Sequence, residues 1–134
     1  MAYISFNPNN YFRNKLHTGT GSAQSITFNE STNMTPDFIW IKRRESFNHR
    51  LIDSARGSSK FLSCNTTDAE STDTAVISSF DTNGFSVGDD TSVNASGGTY
   101  VSWNWKAGTT SGITTNGSTV ITPSAYSFST TSGF

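Results

Sequence analysis

Short segments of strand-forming residues, separated by turn residues, are the feature that most constrains how this chain folds. Seven of them are rich in β-branched or aromatic residues, at positions 24–28, 37–42, 50–53, 75–80, 85–87, 99–105 and 118–121. Clusters of Gly, Asn, Asp, Ser and Thr separate them, and none carries the apolar stripe of an amphipathic helix. Short strands separated by such turn residues are typical of sandwiches and jelly rolls, so we predict an all-β, antiparallel β-sandwich.

The composition is consistent with one folded domain. Of the 134 residues, 22 are Ser and 20 are Thr, and only 33% of the chain is hydrophobic. Such a chain would be expected to stay disordered if it lacked large apolar side chains. Aromatic residues make up 13% of it, however, which is enough to fill the core of a single compact domain.

Charge and cysteine content exclude several classes of protein. The net charge is -1 and the longest basic run, Lys42-Arg43-Arg44, is followed at once by Glu45, so we expect no nucleic-acid partner. No stretch approaches the ~18 apolar residues of a membrane span, and the first residues lack the pattern of a secretory signal. A single cysteine, Cys64, excludes an internal disulfide and any multi-cysteine zinc site. We therefore expect synthesis in a cytoplasm and no membrane partner.

Alternation within 100–105 predicts which side chains face the core. Val101, Trp103 and Trp105 share one face of this strand, and Ser102 and Asn104 share the other. Because large apolar side chains usually face inward, we predict that the valine and both tryptophans are buried and that the polar pair faces solvent.

The segment 38–41 reads Phe-Ile-Trp-Ile and is apolar on both faces. Such a run favours a central strand that is covered on both sides, which places Trp40 in the core as well. Asn83-Gly84 and Asn116-Gly117 have the composition of two-residue hairpin turns, and Gly97-Gly98 is a weaker candidate.

Few residues have catalytic potential, and none lies in a recognised catalytic motif. Cys64, His17, His49 and Asp53 are the candidates for a nucleophilic triad, but no serine lies in a Gly-x-Ser-x-Gly elbow. Cys64 is interpreted as a small buried residue at a strand end, and both histidines as solvated loop residues. Acidic loop residues at 68, 70, 73, 89 and 90 do not follow the EF-hand spacing. We therefore predict no catalytic residues, no metal and no cofactor.

A carbohydrate-binding face is the alternative that composition leaves open. Exposed rings flanked by amides and carboxylates are suited to stacking on sugars and to bonding their hydroxyls. Because the tryptophans are assigned to the core, Tyr11, Phe47 and Tyr100 are the predicted ligand-binding residues.

The motif Asp53-Ser54-Ala55-Arg56-Gly57 concentrates charge at a turn. An arginine three residues after an aspartate can form a bidentate pair that fixes the turn before Gly57. The alternative is that Arg56 is presented to a ligand.

A short pattern occurs near both ends of the chain. Ser5-Phe6 is followed after five residues by Phe12, and Ser127-Phe128 is followed after five residues by Phe134. We accordingly divide the chain into 1–17, an N-terminal docking arm or first strand; 18–120, the sandwich module; and 121–134, a final strand or the start of a following repeat.

Five ordered motifs resemble those of a repeated module in structural proteins of tailed bacteriophages. They are TPDFIWIK (35–42), LIDSARG (51–57), KFLSCNT (60–66), FDTNGF (80–85) and TYVSWNWKAG (99–108). The resemblance implies a jelly roll of the concanavalin or laminin-G kind and a non-enzymatic tail-fibre or tail-appendage protein of the virion, assembled in the host cytoplasm.

The resemblance also implies partners. They are other virion proteins, further copies of the chain in a homo-oligomer such as a trimer, and host-surface glycans. A capsid decoration or head-fibre protein is the first alternative function. A glycan-binding lectin or a polysaccharide-degrading enzyme is the second alternative, from another class.

Overall fold

A computed structural model of the protein describes residues 6–112 and 123–134. A 3₁₀ turn, Pro8–Asn10, precedes the first strand, and one short helix, α1 (Thr91–Asn94), precedes the last. The strands are β1 (Phe12–Thr18), β2 (Gln24–Thr27), β3 (Phe38–Arg43), β4 (Arg50–Asp53), β5 (Lys60–Leu62), β6 (Ser71–Thr72), β7 (Ile77–Asp81), β8 (Gly84–Val87) and β9 (Thr99–Trp105).

These strands form two antiparallel sheets. The larger sheet has the order β1-β9-β3-β4-β5-β6, and the smaller has the order β2-β8-β7. Four connections cross between the sheets, namely those after β1, β2, β6 and β8. The prediction of an all-β, antiparallel sandwich is confirmed, and the predicted strands at 50–53 and 99–105 match β4 and β9. The predicted strand at 118–121 and the turn at Asn116-Gly117 lie outside the described residues.

The first strand pairs with β9 along its whole length, from Phe12 opposite Trp105 to Thr18 opposite Thr99. The segment assigned above to an arm or first strand therefore contributes an edge strand of the large sheet from residue 12 onward. Its inward side chains are Arg13, Lys15 and His17, all of them polar. A strand whose inner side is polar cannot be recognised from the alternation of apolar residues.

The hairpin predicted near Asn83 forms, but its turn is displaced by one residue. Thr82 and Asn83 make the loop, and Gly84 already begins β8 with a φ of 132°. A Cβ atom at Gly84 would lie 2.1 Å from the Ile26 carbonyl oxygen, so only glycine fits where β8 meets β2.

The apolar core lies between the two sheets. Its fully buried side chains come mainly from the inner faces of β3, β4, β7 and β8 and from α1. They include Ile39, Ile41, Ile52, Ile77, Phe85, Val87 and Val93, with Met34 from a loop.

Arg13 connects β1, an edge strand of the large sheet, to neighbouring loops. Its side chain is almost completely buried, with 2% of the residue exposed. Nε donates to the Asn9 carbonyl at 2.7 Å, Nη1 to Asn83 Oδ1 at 3.1 Å and Nη2 to the Thr32 carbonyl at 2.7 Å. Glu30 lies 3.6 Å from Nη1. The guanidinium thus joins the turn just before β1 to two segments that are distant in sequence, at Thr32 and Asn83.

Asn94, the last residue of α1, has all four of its side-chain hydrogen-bonding positions filled. Oδ1 accepts from the Thr20 amide at 2.9 Å and from Gln24 Nε2 at 2.7 Å. Nδ2 donates to the carbonyls of Ser22 at 2.6 Å and Gly88 at 2.5 Å. A fully buried amide with this complete set fixes the β1–β2 connection against the end of β8.

Candidate functional site: an aromatic face on the large sheet

The outer side of the large sheet, away from β2, β7 and β8, carries the largest aromatic side chains of its central strands. We call this surface the aromatic face and define it by Phe12, Phe38, Trp40, Trp103 and Trp105. Cross-strand pairing produces it, because Trp105 lies between Phe12 on β1 and Phe38 on β3, and Trp40 lies opposite Trp103. All five residues are half-buried, with their rings on the surface.

The rings contact one another in two rows. In the first row, the Trp105 centroid is 4.9 Å from that of Phe12 and 5.4 Å from that of Phe38. In the second, Trp40 and Trp103 lie 5.1 Å apart and are tilted by 47°. Tilted and edge-to-face contacts of this kind stabilise the pairs beyond their buried area and hold each ring in place.

This orientation corrects the prediction for 100–105. Tyr100, Ser102 and Asn104 face the core and are fully buried, whereas Trp103 and Trp105 face outward with Val101. The polar pair can be buried because Asn104 Nδ2 donates to the Arg13 carbonyl and to Ser102 Oγ, both at 3.0 Å. Tertiary partners therefore reverse the inward preference that side-chain size alone predicts.

Trp40 departs from its predicted place in the same way. Its strand is central in the large sheet, as expected, but only Ile39 and Ile41 face the core. Trp40 faces outward, 6.0 Å from the His49 ring, and its Nε1 is buried with no hydrogen-bond partner among the described residues.

Aliphatic side chains extend the aromatic face toward both edges of the sheet. Leu51 lies opposite Trp40 and pairs in turn with Leu62 on β5. On β1, Leu16 lies opposite Val101 and is 65% exposed, more than Phe47 or Phe134. The apolar surface thus spans five adjacent strands, and surfaces of this kind mark interaction sites.

The chain itself covers one part of this surface. Residues 123–134, here called the strap, place the Phe134 ring on Trp105, with centroids 5.6 Å apart and planes within 18°. Phe134 also contacts Phe38 at 5.8 Å and remains 42% exposed. The strap therefore covers the first row of rings, while neither ring of the second row has a ring contact with it.

The strap is attached beside the end of β9. A single isolated bridge joins Thr109 and Phe128 through two backbone hydrogen bonds of 2.9 and 3.0 Å. Ser127 Oγ accepts from the Gly108 amide at 2.8 Å and lies 3.4 Å from Asp37 Oδ1.

Two cavities flank Phe134. One, of about 310 Å³, lies between the strap and the N-terminal segment and is lined by Phe6, Tyr11, Phe12 and Trp105. The other, of about 140 Å³, lies on the side of Asp37, Asp53 and Ser127. The Phe134 ring thus stands between two open spaces.

The three predicted ligand-binding residues are not brought together. Tyr11 lines the larger cavity, with its ring 5.3 Å from that of Phe6. Tyr100 is fully buried, and its hydroxyl donates to the Thr91 carbonyl and accepts from the Ala95 amide. Burial raises the pKa of this phenol. Tyr100 is therefore corrected from a surface residue to a core residue, because its hydroxyl has buried backbone partners.

Phe47 lies in the loop between β3 and β4. It is 48% exposed and is the one described non-glycine residue with a positive φ, at 143°. The Arg43 guanidinium lies 5.2 Å from its ring centroid. Nearby, the hydrogen bond from Thr99 lowers the pKa of Glu45 to about 2.

The Asp53–Gly57 motif forms a turn. Asp53 accepts from the Arg56 amide at 2.9 Å and from Arg56 Nε at 2.6 Å, so the carboxylate binds one side-chain nitrogen instead of both arms of the guanidinium. A terminal nitrogen of Arg56 contacts Glu70 at 3.2 Å. Gly57 follows with a φ of 100°, and its amide donates to the Asp53 carbonyl. The charge of Arg56 is therefore paired with two carboxylates of the same chain.

The candidate catalytic residues are dispersed. Cys64 is exposed, which corrects its predicted burial; the chain turns away from β5 and the neighbouring Ser63 takes the buried position beneath Arg50. His17 lies within β1, where it stacks on Tyr100 at 4.9 Å instead of lying in a solvated loop.

His17 Nε2 lies 3.0 Å from the Val93 carbonyl and therefore donates to it, while Nδ1 is buried with no partner among the described residues. Burial lowers the pKa of His17. In the part of the chain that the structure describes, no three metal-binding side chains cluster, and no helix is long and apolar enough to cross a membrane.

Phe12 and Phe134, which flank Trp105, are not among the predicted ligand-binding residues. The sequence does contain a signal for both, because each ends one copy of the Ser-Phe-x5-Phe pattern. The pattern indicates related segments, but only the fold shows that both segments end on one tryptophan.

Comparison with known proteins gives one match. A family model described as "Domain of unknown function (DUF7483)" matches residues 7–134. No curated protein and no solved structure matches the chain. Because the match includes the nine strands, the aromatic face and the strap, the whole described fold falls within one family unit. The chain belongs to the DUF7483 family.

Proposed function

We propose that this protein is a non-enzymatic structural component of a tailed-bacteriophage virion, a module of a tail fibre or tail appendage. Two independent features support the proposal. The five sequence motifs resemble those of a phage structural module, and the fold presents an apolar surface suited to contacts between subunits. The protein would be assembled in the host cytoplasm and would act in the particle.

The aromatic face is the observation that carries the proposal. Aromatic side chains are enriched in protein–protein interfaces, and they anchor binding where several lie close together. Here Trp40, Trp103 and Trp105 lie on one side of one sheet, and Leu16 extends this surface at 65% exposure. The described surroundings of these rings contain no cluster suited to metal chemistry. An assembly surface accounts for this arrangement better than a reaction site does.

The partners follow from this assignment. Neighbouring virion proteins and further copies of the chain would bury the aromatic face, and a homo-oligomer such as a trimer would place several copies side by side. Host-surface glycans form a second class of partner. The cavity beside Tyr11 is the place for them, because aromatic rings and a phenol hydroxyl lie together there.

The experiment is purification of the phage particles whose genome encodes the chain, with particles separated into tailed virions, free tails and DNA-filled heads that lack tails. A fibre or appendage protein appears with tails, and a decoration or head-fibre protein appears with tailless heads. Absence of the chain from all particles would overturn the proposal.

A matched pair of variants tests the role of the aromatic face. Trp103→Ser together with Trp40→Ser removes the second row of rings, whereas Phe47→Ser removes an exposed ring elsewhere on the molecule. The double variant should lose most of its incorporation into particles and the single variant should retain it. Equal incorporation of both would show that the aromatic face is not the assembly surface. Circular dichroism of the isolated chains checks that both still fold.

A further inference from the structure

We infer that the larger cavity beside Phe134 binds a quaternary ammonium group, such as the trimethylammonium end of choline, carried by a host-surface polymer. The inference deepens the host-surface binding proposed above and rests on it, because it names the chemical group that enters the cavity beside Tyr11. Recognition would depend on the attraction between the cation and the faces of aromatic rings.

Aromatic rings dominate the lining of this cavity. Its volume is about 310 Å³, and the rings that line it are those of Phe6, Tyr11, Phe12, Trp105 and Phe134. A volume of this size lies at the lower end of the ~300–1,000 Å³ that is usual for small-molecule sites. The rings come from the N-terminal segment, the large sheet and the strap, so the fold, and not a local motif, brings them together.

The rings enclose a concave space instead of forming a flat platform. The Phe6 and Tyr11 rings are 5.3 Å apart, with their planes at 83°. Phe12 lies 4.9 Å from Trp105 at 53°, whereas Phe134 is within 18° of the Trp105 plane. Rings inclined in this way approach a bound group from several sides. A compact tetrahedral cation is suited to such walls, whereas a sugar ring stacks on one flat surface.

The lining offers few side-chain hydrogen-bonding groups. Its two hydroxyls belong to Tyr11 and Ser132, and Ser132 Oγ is buried, which leaves the hydroxyl of Tyr11. A sugar carries several hydroxyls, and burial of each one is unfavourable unless a partner replaces water. A quaternary ammonium group has neither a donor nor an acceptor, so it needs no such partner. The lining therefore favours a cationic substituent of the polymer over one of its sugar rings.

The charges near the cavity also favour a cation. None of the described residues that line it carries a charge, so none repels a bound cation. On the other side of Phe134, Asp37 lines the smaller cavity and accepts from the Ser54 hydroxyl at 2.7 Å and the Ala107 amide at 2.9 Å. Both donors are neutral, and Asp37 has no ion pair among the described residues. Its negative charge therefore attracts cations to this end of the sheet.

Calorimetric titration of the full 134-residue chain with choline chloride tests the inference. The neutral isostere 3,3-dimethylbutan-1-ol has carbon in place of nitrogen, so it makes the same apolar contacts without the charge. Choline should bind saturably, and the isostere should bind at least about tenfold more weakly. Equal binding of the two, the absence of saturable choline binding, or tighter binding of glucose than of choline would each overturn the inference.

Variants of the lining test whether the cavity is the site. Tyr11→Leu removes one ring and keeps an apolar side chain, so choline should bind at least about fivefold more weakly, whereas Tyr11→Phe should bind it like the unaltered chain. Phe47→Leu removes an exposed ring outside the cavity and should also leave binding unchanged.

Two results with these variants would overturn the assignment. Equal binding by Tyr11→Leu and Phe47→Leu would show that the site lies elsewhere. Equal losses in Tyr11→Leu and Tyr11→Phe would show that the hydroxyl, and not the ring, holds the ligand. Circular dichroism checks folding, and if Tyr11→Leu does not fold, Phe6→Leu removes another ring from the same cavity.

Two carriers distinguish the source of the ammonium group. A soluble albumin conjugate of phosphorylcholine presents it on a polymer, and vesicles of phosphatidylcholine present it on a lipid surface. The chain should bind the conjugate, and binding to the vesicles alone would overturn the assignment to a polymer. A chain that enters particles but does not bind choline refutes this inference alone, whereas a chain that binds choline but is absent from particles refutes the virion function alone.

Discussion

Replacing Asn94 by alanine should destabilise the fold far more than the same replacement at Asn104. Both asparagines are completely buried, so each substitution removes the same atoms from an equally enclosed place. They differ in hydrogen bonding. Asn94 makes four side-chain hydrogen bonds, whereas Asn104 donates two and its Oδ1 is buried with no partner among the described residues. The comparison therefore isolates the hydrogen bonds from the cavity.

The magnitude follows from the groups left behind. Without Asn94, Gln24 Nε2 still donates to the Thr18 carbonyl, and the Ser22 carbonyl still accepts from Thr20 Oγ1. The Thr20 amide and the Gly88 carbonyl lose their hydrogen bonds to Asn94. A hydrogen bond contributes ~1 kcal/mol net, so the loss of all four bonds of Asn94 in Asn94→Ala should lower the free energy of unfolding by about 4 kcal/mol.

Asn104→Ala should lower it by about 2 kcal/mol, because that substitution also removes a polar atom that is already unpaired. Urea unfolding followed by tryptophan fluorescence measures both variants. With an m value of ~2 kcal/mol/M, their midpoints should differ by about 1 M. Equal midpoints would show that the cavity, and not the hydrogen-bond set, determines the loss, and would refute the reasoning.

Three further predictions concern single side chains. Arg13→Met should destabilise by about 3 kcal/mol, and Arg13→Lys should restore little, because one ammonium cannot reach the three segments that the guanidinium joins; urea midpoints measure this. The lowered pKa of His17 means that its contribution to stability is complete above about pH 6.5 and is lost as the pH falls toward the folded-state pKa. In His17→Gln, the free energy of unfolding should therefore decrease less between pH 7.5 and 5.5 than in the unaltered chain. An equal decrease in both would contradict the role of His17. Cys64 should react with a thiol reagent in the native protein at the rate of an exposed thiol, and protection until unfolding would contradict its exposure.

Strand positions can be predicted from this sequence where side chains alternate and turn residues intervene. The segments 50–53 and 99–105 match β4 and β9, and the hairpin at Asn83 is found within one residue. By contrast, β1 has Arg13 on its inner side, and its burial depends on the Asn9 carbonyl and on acceptors from two distant segments, at Thr32 and Asn83. No local pattern indicates partners that are supplied by tertiary structure, so strands of this kind escape prediction.

The direction in which β9 faces could not be predicted for a related reason. Alternation divides its residues into two sets but does not say which set faces the second sheet. Size favours the set with Trp103 and Trp105, but the inner space is lined by Ile39, Ile41 and the Arg13 backbone, whose carbonyl accepts from Asn104. The Tyr100 hydroxyl likewise bonds to backbone at the two ends of α1. The choice of face depends on these polar partners, which are distant in sequence.

The two-sided apolar character of β3 has a consequence for function. A strand that is apolar on both faces is typical of a position that is covered on both sides. Ile39 and Ile41 are covered by the second sheet and α1, which accounts for one face. On the other face, Phe38 is covered in part by Phe134, whereas Trp40 and Trp103 contact each other and not the Phe134 ring. The same strand thus has one complete cover and one partial cover. Burial of the rings that remain exposed on the second face would be favourable in water, and this gain is the physical basis of the assembly role proposed for the aromatic face.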